Sequence, residues 1–162
     1  MKKMIFGAAA MVAVMMASCG GNKNESKVED NSAFAENQPV ECGEYRAVSF
    51  QKVEADSKRM PFDGRIIFAL DPDNSGIYVY ENGNRTHFKA SVSLTAPFEK
   101  QDSVYVATDS KEQKVEVISG AEIDTLVIVK DNAPVKIAFE RKAVSTMRAT
   151  DAWQRISSLL SK

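Results

Sequence analysis

Gly76-Ile-Tyr-Val-Tyr-Glu-Asn-Gly-Asn-Arg-Thr-His-Phe-Lys-Ala-Ser-Val-Ser-Leu94 is the stretch that decides the fold class. β-branched and aromatic residues alternate in Ile77-Tyr-Val-Tyr80 before Asn82-Gly83, and apolar residues alternate with polar ones from Phe88 to Leu94 after it. Period-two alternation puts one set of side chains on each face of a strand. An Asn-Gly pair between two such runs is the strongest short-range hairpin signal, because a type I′ turn needs φ > 0 at both central residues. The segment therefore predicts strands over 76–81 and 84–94, joined as an antiparallel hairpin.

The same pattern extends outward in both directions. Six further runs read as strands: 45–54, 64–70, 103–109, 113–119, 123–130 and 134–141. Ile66, Phe68 and Leu70 share a face, as do Phe88, Ala90, Val92 and Leu94. Val104 pairs with Val106, Val115 with Val117, and Val135, Ile137 and Phe139 form another set. Leu126 and Ile128 oppose Val127 and Val129, which predicts a strand covered on both sides. Asp71-Pro-Asp-Asn-Ser-Gly76, Lys111-Glu112, Ser119-Gly120 and Asp131-Asn132 supply the turns. Most of these links are too short for a parallel crossover of a dozen or more residues. The sheet is expected to be an antiparallel meander.

The last segment changes period. Trp153, Ile156 and Leu160 fall at i, i+3 and i+7, with Leu159 widening the stripe. Thr150 or Asp151 suits the cap. A helix over about 150–161 is short enough to need docking, and Trp153 is the expected anchor. Eight meandering strands and a C-terminal helix resemble lipocalins in layout, although their Gly-x-Trp motif is absent. The expected fold is thus an all-β, eight-stranded antiparallel barrel over 42–162 with a terminal helix. A β-sandwich is the alternative, with 55–63 and 95–102 as sheet-switching links. A barrel of this size holds side chains or one small ligand. Its lining would include Ile66, Phe68, Phe88, Val92, Ile137 and Phe139, which a solid core would use equally.

The N-terminus reads as an address. Lys2 and Lys3 precede fourteen apolar residues, Met4 to Ala17, too few for the roughly 20 that span a bilayer. Cleavage by an ordinary signal peptidase would put bulky Met15 or Met16 at the −3 position. Met16-Ala17-Ser18-Cys19 instead resembles the lipobox of bacterial lipoproteins. The resemblance implies that residues 1–18 are a signal peptide and that Cys19 carries diacylglycerol and usually a further acyl chain such as palmitate. One chain anchors marginally, but two or three hold firmly. Gly20, rather than Asp, follows the cysteine, which by the family's sorting rule implies the outer membrane. Residues 19–41 are polar, with few large apolar side chains, and are expected to form a flexible tether with a span of roughly 25 Å.

Composition narrows the function. Removing the leader leaves 144 of 162 residues, one ordinary domain plus its tether, and lowers the basic count from 21 to 19 against 22 acids. No basic excess favours nucleic acid. Cys19 and Cys42 are the two cysteines. If the first is lipidated, the fold has no internal disulfide, and Cys42 is either a buried thiol or pairs outside the chain.

Motifs for chemistry are sparse. Asp71-x-Asp73-x-Ser75-Gly76 resembles the opening of an EF-hand calcium loop, but Asn82 stands where a bidentate Glu is required, so it reads as a turn. His87 is the sole histidine and has no clustered partners in sequence. Glu54 and Asp56 sit in an ordinary polar stretch. Asp102-Ser103-Val104 and Asp124-Thr125-Leu126 resemble a short O-glycosylation signal, and suit strand edges equally well. Tyr78, Tyr80 and Tyr105 would either line a ligand face or cover the outside of the sheet. No catalytic residue, metal ligand or cofactor is expected. The leading expectation is a non-enzymatic envelope lipoprotein that binds a small apolar ligand or a partner protein. The rival is a structural or assembly subunit with a solid core. An envelope hydrolase has only the export signal in its favour.

Overall fold

The computed structural model describes residues 38–53, 57–71, 73–82 and 88–162. The leader, Cys19, most of the tether, Glu54, Asp56, Gly83 and His87 lie outside the described residues. Among the described residues, ten strands precede one helix: β1 (Gly43–Lys52), β2 (Met60–Ala69), β3 (Gly76–Glu81), β4 (Lys89–Ser93), β5 (Glu99–Gln101), β6 (Val104–Thr108), β7 (Lys114–Ile118), β8 (Ile123–Lys130), β9 (Ala133–Glu140), β10 (Ser145–Thr146) and α1 (Ala149–Leu160). All belong to one antiparallel sheet, ordered β4-β3-β2-β1-β9-β8-β7-β6-β5, with β10 paired to the start of β1.

The sheet curls into a barrel-like half-shell instead of splitting into two stacked layers. A register shift between Ala47 and Ser49 bulges β1 against both β2 and β9, and such bulges bend a strand. At the other seam the chain changes neighbours. β4 pairs with β3, then Leu94 bridges Asp109 and β5 pairs with β6. The 95–102 link thus does switch partners, but within one curled sheet.

Turn chemistry sets the hairpins. Asp131 (φ 54°) and Asn132 (φ 62°) both adopt positive φ between β8 and β9, as a type I′ turn requires. The buried Asp109 carboxylate accepts from the Lys111 and Gln113 N–H groups, both at 2.8 Å, and so shapes the β6–β7 turn. Asp71 accepts from the Asp73 N–H at 2.9 Å, the turn expected there.

Ile66, Phe68, Ile77, Val79, Val115, Val117, Leu126, Ile128, Ile137 and Phe139 fill the interior. β6 departs from expectation. Ala107 is buried and Tyr105 packs on the core, while Val104 and Val106 are half-exposed. Asp109 must face inward to hold its turn, and period two then carries Ala107 and Tyr105 inward with it. Val127 and Val129 are also only half covered.

β2 is covered on both faces. Ile67 and Ala69 lie outside the shell, where they meet Tyr78, Ala152 and Ile156, with Trp153 and Leu159 at the margin. α1 is therefore docked as expected, but rotated: Ala152 is fully buried and Leu160 is 53% exposed. Its cap is Arg148, not Thr150 or Asp151, and the Arg148 guanidinium pairs with Asp151 at 2.8 Å across the first turn. A Cβ on Gly76 would lie 2.9 Å from the Trp153 ring, so the helix sits on β3 at a distance only glycine permits. Among the described residues no helix is long and apolar enough to cross a membrane.

Candidate functional site

The end of the barrel where β1 begins is the mouth. There the chain segment 38–42 crosses the opening before entering the sheet. Val40 is buried in the core, and the Tyr45 hydroxyl donates to the Glu41 carbonyl at 2.9 Å. The Tyr45 ring stands edge-on to Phe68 and Phe139, with centroids 5.5 and 5.6 Å away. Burial, followed by the Glu41 charge, pushes its phenol up to about 12. Tyr45 therefore stays a neutral donor and clips the segment to the shell.

Cys42 ends this strap. Its Sγ accepts from the Leu70 N–H at 3.3 Å and donates to the Leu70 carbonyl at 3.6 Å. Burial pushes the thiol up, and the thiolate is the reactive form. Cys42 is a free, half-buried thiol held by backbone.

The opposite lip is built by charge. The Asp124 carboxylate, 1% exposed, accepts from the Gly120 N–H at 2.9 Å and from Arg141 Nη2 at 3.0 Å and Nε at 3.3 Å. Arg141 also donates to the Gly120 carbonyl, and its own N–H reaches the Glu122 carbonyl at 2.9 Å. One ion pair thus fastens the β7–β8 turn to the segment that follows β9.

Between strap and lip lies an open cleft of about 660 Å³, with Val40, Tyr45, Tyr105, Ser119, Arg141 and Lys142 among its walls. Tyr105 is half-exposed, and Lys100 lies over its ring, 5.8 Å from the centroid. Two aromatic bodies, two hydroxyls (Ser119 and Thr146) and two cations offer apolar contact with hydrogen bonds at the edge. Among the described residues there is no group of three or more His, Cys, Asp or Glu side chains able to hold a metal ion.

The six residues expected to line the barrel do not line this cleft. Ile66, Phe68, Ile137 and Phe139 are fully buried, and Val92 is 7% exposed. Phe68 and Phe139 touch at 5.6 Å. Phe88, partly buried, joins Phe50 (5.3 Å) and Phe62 (5.7 Å) in an aromatic cluster that fills the far end. Of the tyrosines, Tyr78 lies under the helix and Tyr80 donates to Glu44 Oε1 at 2.7 Å on the outer face, while Tyr105 reaches the cleft. No sequence motif marks Asp124 and Arg141 as a pair. They are 17 positions apart, and no local pattern links them.

Compared with protein-family models, curated proteins and solved structures, the chain finds no match.

Proposed function

We propose that this chain is a non-enzymatic binding module of the bacterial envelope, fixed by acyl chains on Cys19 to the outer membrane, which holds a segment of a partner protein in its mouth cleft. The anchoring half rests on the lipobox-like Met16-Ala17-Ser18-Cys19 and the short apolar run before it. The binding half rests on one observation above all: the inward side chains pack against one another, whereas the open, mixed-polarity volume lies at the mouth. A carrier of a small apolar ligand would need the reverse.

Three measurements test the reading. Radiolabelled palmitate should enter the wild-type chain and not Cys19→Ala, whose product should leave the membrane fraction. The full chain in detergent should give a native mass equal to protein plus its own acyl groups. A photo-crosslinker at Ser119 or Lys142 should capture one partner in cells, and Tyr105→Ala should abolish that capture. A stoichiometric small apolar molecule in the native spectrum would replace the partner-protein reading with that of a carrier.

A further inference from the structure

The end opposite the mouth leaves a strand edge open. β4 pairs with β3 along one side. On its other side, among the described residues, only the last residue is engaged, where the Ser93 carbonyl accepts from the Ser110 N–H at 2.8 Å. In an antiparallel ladder, successive residues turn their N–H and C=O groups to opposite sides. The Leu94 N–H bonds the Ser75 carbonyl at 2.9 Å on the β3 side. Val92 and Ala90 therefore serve β3, and Ser93, Ser91 and Lys89 face outward. Among the described residues no strand pairs with Lys89 or Ser91 on that side. Their N–H and C=O groups form an unpaired edge.

A cleft of about 280 Å³ runs beside this edge, walled by the β6–β7 and β8–β9 turns. Lys89, Lys111 and Lys130 border it, against one acid, Asp131. Lys130 is occupied, 3.5 Å from Asp131 and 5.6 Å from the centroid of the Phe88 ring. Lys89 and Lys111 have no carboxylate partner among the described residues. Lysines on a bare edge discourage pairing with an identical edge. The same charges attract an acidic strand. We infer that β4 accepts an extended, acidic segment of a partner protein by strand addition, with the backbone of Lys89 and Ser91 supplying the ladder bonds and Lys89 and Lys111 selecting the charge. The site lies at the other end of the barrel from the mouth and does not depend on it.

The test uses the full chain in detergent micelles and a fluorescein-labelled heptapeptide of alternating Val and Thr with Glu at both ends. Fluorescence anisotropy should show saturable binding. A twin N-methylated at alternate amides, and a twin ending in Lys, should each bind at least roughly tenfold more weakly, a loss of about 1.4 kcal/mol. Lys89→Glu combined with Lys111→Glu should invert the charge preference, with the far-UV circular dichroism unchanged. Tyr105→Ala at the mouth should leave binding intact. Equal binding by the N-methylated twin, equal binding by the Lys-ended twin, or no saturable binding would overturn the inference. So would a dimer, seen by sedimentation, that Ser91→Pro dissolves, since the occupant would then be a second copy.

Discussion

Replacing Asp124 with asparagine keeps the shape of the side chain and removes its charge. The carboxylate now holds the Gly120 N–H and two guanidinium donors of Arg141 while almost fully buried. An asparagine oxygen at the Oδ1 position can keep the Gly120 and Arg141 Nη2 bonds, but as a neutral acceptor, and the amide nitrogen in place of Oδ2 then faces Arg141 Nε, 3.4 Å away, donor to donor. A hydrogen bond to a charged group contributes about 1.5–3 kcal/mol. Arg141 is 49% exposed, so water recovers part of what it loses and the lower end applies. The expected loss is about 2 kcal/mol, or roughly 8 °C in Tm for a domain of this size. Urea unfolding followed by circular dichroism should show a lower midpoint at unchanged slope. Arg141→Met should cost more, about 3 kcal/mol, because it strands a buried carboxylate. The double variant should lose less than the sum of the two. A change below about 0.5 kcal/mol for Asp124→Asn, or additive single effects, would refute the claim that this pair fastens the lip.

Further outcomes follow from other contacts. Gly76→Ala should push the Trp153 ring off β3, cost about 1–3 kcal/mol and red-shift the emission of this sole tryptophan. Ile156→Ala should cost about 2–4 kcal/mol and raise hydrogen exchange along β2, whose outer face it covers. Tyr45, ordinarily near 10 but raised to about 12 in the fold, favours the folded state while protonated. Its contribution should be complete below pH 10 and disappear as pH rises toward 12, so Tyr45→Phe should flatten alkaline unfolding across that window. Cys42 should react with a thiol reagent at pH 8 much more slowly in the folded chain than in urea, because burial raises its pKa.

Much of the shell was legible because its strands obey a local rule. Ile66, Phe68, Val135, Ile137 and Phe139 declare an inward face by period two, and Asp131-Asn132 declares a turn. β5 did not show, since Glu99-Lys-Gln101 is wholly exposed and carries no apolar alternation. β10 is two polar residues. β2 begins at Met60, ahead of the expected 64, because Pro61 sits opposite Ser49 beside the bulge, where a strand tolerates it. The inward face of β6 followed Asp109, a turn residue, against the lure of Val104 and Val106. Leu160 drew the predicted helix face one way, and small Ala152 let the helix approach on the other. The mouth was least legible. The strap, Tyr105, Ser119 and Arg141 meet only after the sheet has curled, and periodicity within one strand carries no trace of that meeting.

The pairing of β1 with β9 joins positions such as Ala47 and Phe139, roughly ninety residues apart along the chain. Contacts of such separation slow folding, because the intervening loop must be ordered before they form. The first strand cannot be enclosed on its second side until the ninth has been made available. A polypeptide emerging from its N-terminus therefore stays unlocked, and threadable through a narrow pore, until nearly all of it has been delivered.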